Sequence, residues 1–425
     1  MAMLALVFGL LAGAASTEVE IDPERAELSC DALLRYAFPD LCDLEVVPGT
    51  IQVRGLRLAY WRYSRRGEKP VPQKLPLLMV HGGPGFGHNY MLPLKQQACR
   101  GREVIFYDQM GAGASAQPDL HKAPWLLTVD YYVEELRTLV TALGWKQFHL
   151  VGSSWGTILS QAYAFTQDPR LRGVVLSGPL SDGDLYWHSQ WDETDGNLGS
   201  LPFFVQATLW KLQTKKGLSS KLYAAEDEIL TSFFTTRTTP VPDCFNAAKP
   251  TSNTSMEIYV GMQGASEFVF SGVLGGFNYT PRLPQIANPV LLTFGRYDTM
   301  RPPVVDALYR NLPRVWKAMM PRSGHCSMID DPRLMNDVVG EFFEREEAGS
   351  LAHFRPEGEV RASANAKPVG PRPLFADAGM ANLEGATALA TALVAVAGPS
   401  FLAGFICHWG FCTRRRDVQS FPPLL

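Results

Sequence analysis

The stretch HLVGSSWGTIL, residues 149–159, sets two serines between two glycines, with an apolar run in front and a helix-forming run behind. Gly-x-Ser-x-Gly is satisfied with Ser154 at its centre; centring it on Ser153 would need glycine where Val151 and Trp155 stand. A serine nucleophile of this kind sits on a strained strand-to-helix turn, so the residues two positions away must lack side chains. Strand character before the motif and helix character after it are what such an elbow requires.

Working outward, the pattern repeats. EVVPGTIQVRGLRLAYWRYS (45–64) reads as two β-rich strands around a turn. KLPLLMVHGGPG (74–85) and REVIFYDQMGAGAS (102–115) each read as a buried strand entering a glycine-rich loop. TVDYYVEELRTLVTALG (128–144) has helical spacing behind a Thr cap, TILSQAYAFTQDP (157–169) reads as a helix, and RGVVLSGPL (172–180) as a strand. NPVLLTFGRYD (288–298), a helix at 303–311, a strand at RVWKAMM and a final amphipathic helix resume the alternation. Alternating strands and helices predict an α/β class with a mostly parallel sheet covered on both faces. Between them, residues 181–282 lose the alternation and read as a mainly helical cap.

The resulting plan is a core over 17–180 and 283–347 split by the cap at 181–282, with a Pro-, Ala- and Gly-rich linker at 348–384. Residues 1–16, MAMLALVFGLLAGAAS, have the form of a secretory signal peptide. Residues 385–413 contain no Asp, Glu, Lys or Arg and are followed by Arg414, Arg415 and Arg416. Roughly 20 apolar residues span a bilayer core, so this segment is expected to be a C-terminal transmembrane helix. The arginines then put residues 414–425 in the cytosol and the catalytic body on the lumenal or extracellular side of a single-pass membrane protein. Sequons at Asn253 and Asn278 fit that placement.

The composition, 46% hydrophobic and 19% charged with a net charge of −3, argues against a nucleic-acid partner. Of seven cysteines, Cys30 and Cys42 flank one short segment and are the expected disulfide, while Cys407 and Cys412 border the apolar segment as candidates for acylation. No spacing suits a metal, and no cofactor is implied. No protein partner is inferable.

A serine hydroxyl needs a base, and the base an orienting acid. The expected chain order is Ser, acid, His. His325, in SGHCS, follows the last predicted strand; Asp298 ends the strand LLTFGRYD. Ser154, Asp298 and His325 are therefore the expected triad. The tetrahedral intermediate also needs donors for its oxygen. The backbone N–H of Trp155 is one, and the loop His81-Gly82-Gly83-Pro84-Gly85 supplies the other, from Gly83 or alternatively Gly82.

HGGPG, DQMGAGAS, GSSWG, GRYD and SGH, in that order, resemble the prolyl aminopeptidase (proline iminopeptidase) family of α/β-hydrolase serine peptidases, over roughly residues 46–346. The resemblance implies an α/β-hydrolase fold with a cap, acting on a peptide or aminoacyl-amide substrate. GASEFVFSGVLGGFNYTPRLPQI (264–286) is similar to the family's cap segment, whose glutamate holds the substrate's α-ammonium; Glu267 takes that place. The resemblance further implies a second carboxylate five residues after the histidine, where Asp330 stands instead of Glu. His81, Pro84 and Phe268 complete the expected substrate-binding set. Met110 departs from the family's usual arginine, and Tyr186, Trp187 and Trp191 are candidates to line an apolar pocket, with cap core as their alternative. The expected activity is release of an N-terminal proline or other apolar residue. The rivals are an esterase or lipase with the same triad, and a catalytically silent binding protein of the same fold.

Overall fold

The computed structural model describes residues 28–212 and 220–355. Eight strands form one sheet in the order β1-β2-β4-β3-β5-β6-β7-β8. β1 (Leu44–Val53) and β2 (Leu56–Arg65) pair antiparallel, as β2 does with β4 (Val104–Tyr107). From β4 onward through β3 (Leu77–Val80), β5 (Phe148–Ser153), β6 (Leu171–Ser177), β7 (Val290–Gly295) and β8 (Val315–Met320), every pairing is parallel.

Alternation along the strands builds a core on each face. Leu78, Val80, Ile105, Leu150 and Val174 face one core; Leu77, Met79, Val104, Phe106, Val151 and Val175 face the other. Helices α1 (Cys30–Ala37), α2 (Val129–Ala142) and α3 (Trp155–Ala164) precede the cap. The cap contains α4 (Gly183–Gln190), α5 (Phe203–Leu212), α6 (Lys221–Leu230), α7 (Asp243–Ala248) and α8 (Asn253–Met262). Three helices follow: α9 (Pro302–Asn311), which joins α2 and α3 on the first core, a short one at Ser327–Asp330, and α10 (Pro332–Glu347), which covers the second. In α10 the buried residues Met335, Val338, Val339, Phe342 and Phe343 recur at helical spacing. Thr128 does precede α2, but its hydroxyl donates to Trp125 O instead of capping the helix.

Two expectations need correction. Cys30 is joined to Cys244 and Cys42 to Cys99, instead of Cys30 to Cys42. The N-terminal segment lies against residues distant in sequence: Leu28 bridges Pro242, and Cys30 N donates to Asp243 Oδ1 at 2.8 Å. Each sulfur therefore meets a partner far along the chain.

The second correction concerns the membrane. Among the described residues no helix is long and apolar enough to cross one. The 16-residue α10 buries one stripe and carries Arg333, Glu341 and Arg345 elsewhere, the pattern of a helix packed on a sheet. The expected transmembrane helix at 385–413 lies outside the described residues, as do the signal at 1–16, Cys407, Cys412 and the tail at 414–425. The single-pass placement, with a lumenal body and a cytoplasmic C-terminus, is accordingly not supported.

The sheet order places the site. The chain passes from β3 to β4 on one side, then returns to β5 on the other side of β3. In an open parallel sheet, such a reversal leaves a crevice outside the carboxyl ends of the two strands. HGGPG leaves β3 there, and Ser154 leaves β5.

Candidate active site

Ser154 follows β5 and immediately precedes α3, with φ 55° and ψ −124°. A non-glycine residue holds such a backbone only where its surroundings impose it. The neighbouring glycines are required sterically: a Cβ at Gly156 would strike Val80 O, and one at Gly152 would strike Gly156 O. Trp155 begins α3, so its N–H lies outside the helical ladder.

His325 and Asp298 meet on the neighbouring strand ends. His325 Nδ1 donates to Asp298 Oδ1 at 2.7 Å, and a carboxylate can only accept, which fixes the proton on Nδ1. Asp298 is fully buried and also accepts from Met300 N at 2.9 Å and Gly295 N at 3.3 Å. Nε2 of His325 is buried with no hydrogen-bond partner. Burial opposes its protonation, but the charge and hydrogen bond of Asp298, then the charge of Glu267, outweigh that and raise the imidazole to about 9.

Ser154, His325, Gly83 and Glu267 line one cavity of about 510 Å³, with Phe86 and Tyr259 among its apolar walls. Ser154 also borders a narrow pocket of about 10 Å³, lined by Ile158, Leu180, Tyr186, Phe270 and Met300. That is room for roughly one water molecule. Glu267 borders both spaces. Its Oε1 accepts from Thr299 Oγ1 at 3.1 Å, and the Tyr186 hydroxyl donates to its backbone carbonyl at 2.6 Å while lying 3.0 Å from Oε1.

The glycine-rich loop is held from below. Gln109 N donates to His81 Nε2 at 3.0 Å, so His81 is neutral with its Nδ1 proton given to Gly82 O at 2.9 Å. Burial lowers this imidazole to about 4. Gly82 N donates to the Tyr90 hydroxyl at 2.7 Å. A Cβ on Gly82 would come within 2.5 Å of Ser154 Cβ, so the loop and the elbow are in direct contact.

Other expected site residues are placed elsewhere. His81, Pro84 and Phe268 are not among the residues lining either space; His81 lies beneath the loop, and the Phe268 ring meets Phe234 edge-on within the cap. Asp330 does not reach the cavity lining either. Its Oδ1 accepts from Arg237 N, Thr238 N and the Thr236 and Thr238 hydroxyls, and its Oδ2 from Gly324 N, all at 2.8–3.1 Å. The carboxylate ties residues 236–238 of the cap to the loop of His325, and five donors from within the chain already engage it. Tyr186 lines the narrow pocket, whereas Trp187 and Trp191 are half-buried and pack against the exposed Trp210 of the cap.

Three neighbours carry no sequence motif of their own, Tyr90, Thr299 and Gly178, and a fourth, Gln109, lies within DQMGAGAS without a role that the sequence assigns to it. Asp227 lines the cavity as well; its Oδ1 is unpartnered and burial raises its carboxyl to about 6. Helical spacing gives no sign of that placement.

Comparison with known proteins agrees with this architecture. A family model of the alpha/beta hydrolase fold matches residues 76–220. The chain is 32% identical over 294 residues to a proline iminopeptidase of Heyndrickxia coagulans, covering 69% of this chain and 97% of that protein. It is 31% identical over 293 residues to a proline iminopeptidase of Clostridium botulinum, covering 68% and 97%. The crystal structure of a proline iminopeptidase from Mycobacterium smegmatis superposes with a TM-score of 0.65 at 25% identity, covering 72% of this chain and all of that one.

Proposed function

The chain belongs to the proline iminopeptidase family of α/β-hydrolase serine aminopeptidases, and we propose that Ser154, His325 and Asp298 form its catalytic triad. Ser154 Oγ attacks the carbonyl of the N-terminal residue while His325 Nε2 takes the hydroxyl proton. Asp298 orients the ring and stabilises the imidazolium. The N–H groups of Trp155 and Gly83 receive the developing oxyanion; Gly82 is less suited because its N–H already serves Tyr90. His325 returns the proton to the leaving amine, and water then releases the acyl group by the reverse proton path.

The observation that carries this reading is the His325 ring: held by Asp298 at Nδ1, unpartnered at Nε2, and lining the cavity that Ser154 also lines. The serine and imidazole share no hydrogen bond, a contact that tightens when substrate enters. Glu267 is the anchor for the substrate's free amine, since it lines both of the spaces that Ser154 lines. A preference for proline or another apolar first residue rests on the proline iminopeptidase relatives, because the narrow pocket beside Ser154 has room for only about one water molecule.

The test compares aminoacyl fluorogenic amides with their N-acetylated forms, with Ser154→Ala as control. Turnover of the free amines alone, abolished by the substitution, is expected. Equal rates on both forms point instead to a general esterase or amidase, and activity surviving in Ser154→Ala removes the triad.

A further inference from the structure

We infer that Gln109 is a positioning residue that holds the two oxyanion donors in register. The inference rests on the assignment of Trp155 and Gly83 as those donors. Gln109 lies on a third segment, the loop after β4, and is buried. Its side-chain Nε2 donates to His81 O at 2.8 Å, and its Oε1 accepts from the indole Nε1 of Trp155 at 2.8 Å. Its backbone N–H reaches His81 Nε2. One amide thus grips the root of the glycine-rich loop with one end and the residue after the nucleophile with the other.

The chemistry of the grip is specific. Among side chains of this size only a carboxamide donates and accepts at once, which a bridge between a carbonyl and an N–H demands. A glutamate in the same place offers acceptors only, and a methionine offers no N–H or carbonyl. Both partners are buried, so a lost bond leaves an unpaired polar group that pushes the segments apart. Oxyanion donors act only when correctly spaced around the developing charge, and a misplacement of about 1 Å can cost on the order of 100-fold in rate.

The test uses Gln109→Met, Trp155→Phe and the double variant in the full chain, with Gln109→Glu as an isosteric second variant. The readouts are kcat and KM on a prolyl fluorogenic amide and the affinity of a prolyl boronate, whose tetrahedral adduct occupies the oxyanion site. For Gln109→Met, kcat is expected to fall by about 10- to 100-fold with KM within about threefold, and boronate affinity should fall in parallel. Gln109→Glu, which keeps the indole bond, should fall between wild type and Gln109→Met. The double variant should be no worse than the poorer single one, because the two substitutions break one shared bond. Unchanged kcat in a folded Gln109→Met or Gln109→Glu variant, a loss expressed in KM alone, or fully additive effects would each overturn the inference. Activity persisting in Ser154→Ala would overturn the underlying mechanism instead, and the two failures are separable.

Discussion

His325 Nε2 stands 3.9 Å from Glu267 Oε1, so the proposed general base and the proposed amine anchor are electrostatic neighbours. Only a neutral imidazole accepts the serine proton, and both Asp298 and Glu267 favour the charged ring. The acid limb of reactivity in the free enzyme is therefore expected above the ordinary histidine value of 6.5. A bound substrate ammonium offsets the charge of Glu267 and makes His325 a readier acceptor in the complex. Glu267→Gln removes that anion and should move the limb to lower pH, stopping short of 6.5 because Asp298 remains. The rate of labelling by a neutral fluorophosphonate, followed against pH, reads this without involving a substrate amine. A limb that stays in place in the variant refutes the coupling.

Gly178 follows β6 with φ 58°, and a Cβ there would lie 2.5 Å from His325 Cε1 and 2.6 Å from Nδ1. Gly178→Ala should push the imidazole off Asp298 and lower kcat/KM at least about tenfold. The left-handed backbone adds a stability loss of about 1–2 kcal/mol, small enough for the protein to remain folded. Thermal melting and kinetics on the same preparation separate the two effects; near-normal kcat/KM would show that the ring is not held where the structure puts it.

Asp330 offers a contrast with Glu267. Asp330→Ala would strand the N–H groups of Arg237, Thr238 and Gly324, a loss of about 2–4 kcal/mol in stability. The preference for free over N-acetylated amines should stay intact, whereas Glu267→Gln should diminish it. A selective loss of free-amine turnover in Asp330→Ala would restore an anchoring role to this carboxylate.

These contrasts show where the sequence was readable. The runs LLMV, VIFY and VVLS announce strands because residues buried on both faces leave an unbroken apolar signature. Ser154 was legible because its steric needs fall on glycines two positions away. Asp330 was misleading: a carboxylate five residues past the histidine looks available until the distant segment 236–238 arrives to occupy it. Gln109, Tyr90 and Gly178 act on residues at least eight positions away, and no local periodicity encodes such meetings. The cysteine pairing is of the same kind, since connectivity depends on which surfaces the fold brings together.

The backbone at Ser154 occupies conformational territory that belongs to glycine, at a penalty of about 1–3 kcal/mol. A search for heat-resistant variants that scored foldedness alone would therefore be drawn to replace this residue with glycine. With Ser154 as the proposed nucleophile, ruggedness and turnover make opposite demands on one position, so any such campaign has to screen for activity at the same time as it screens for endurance.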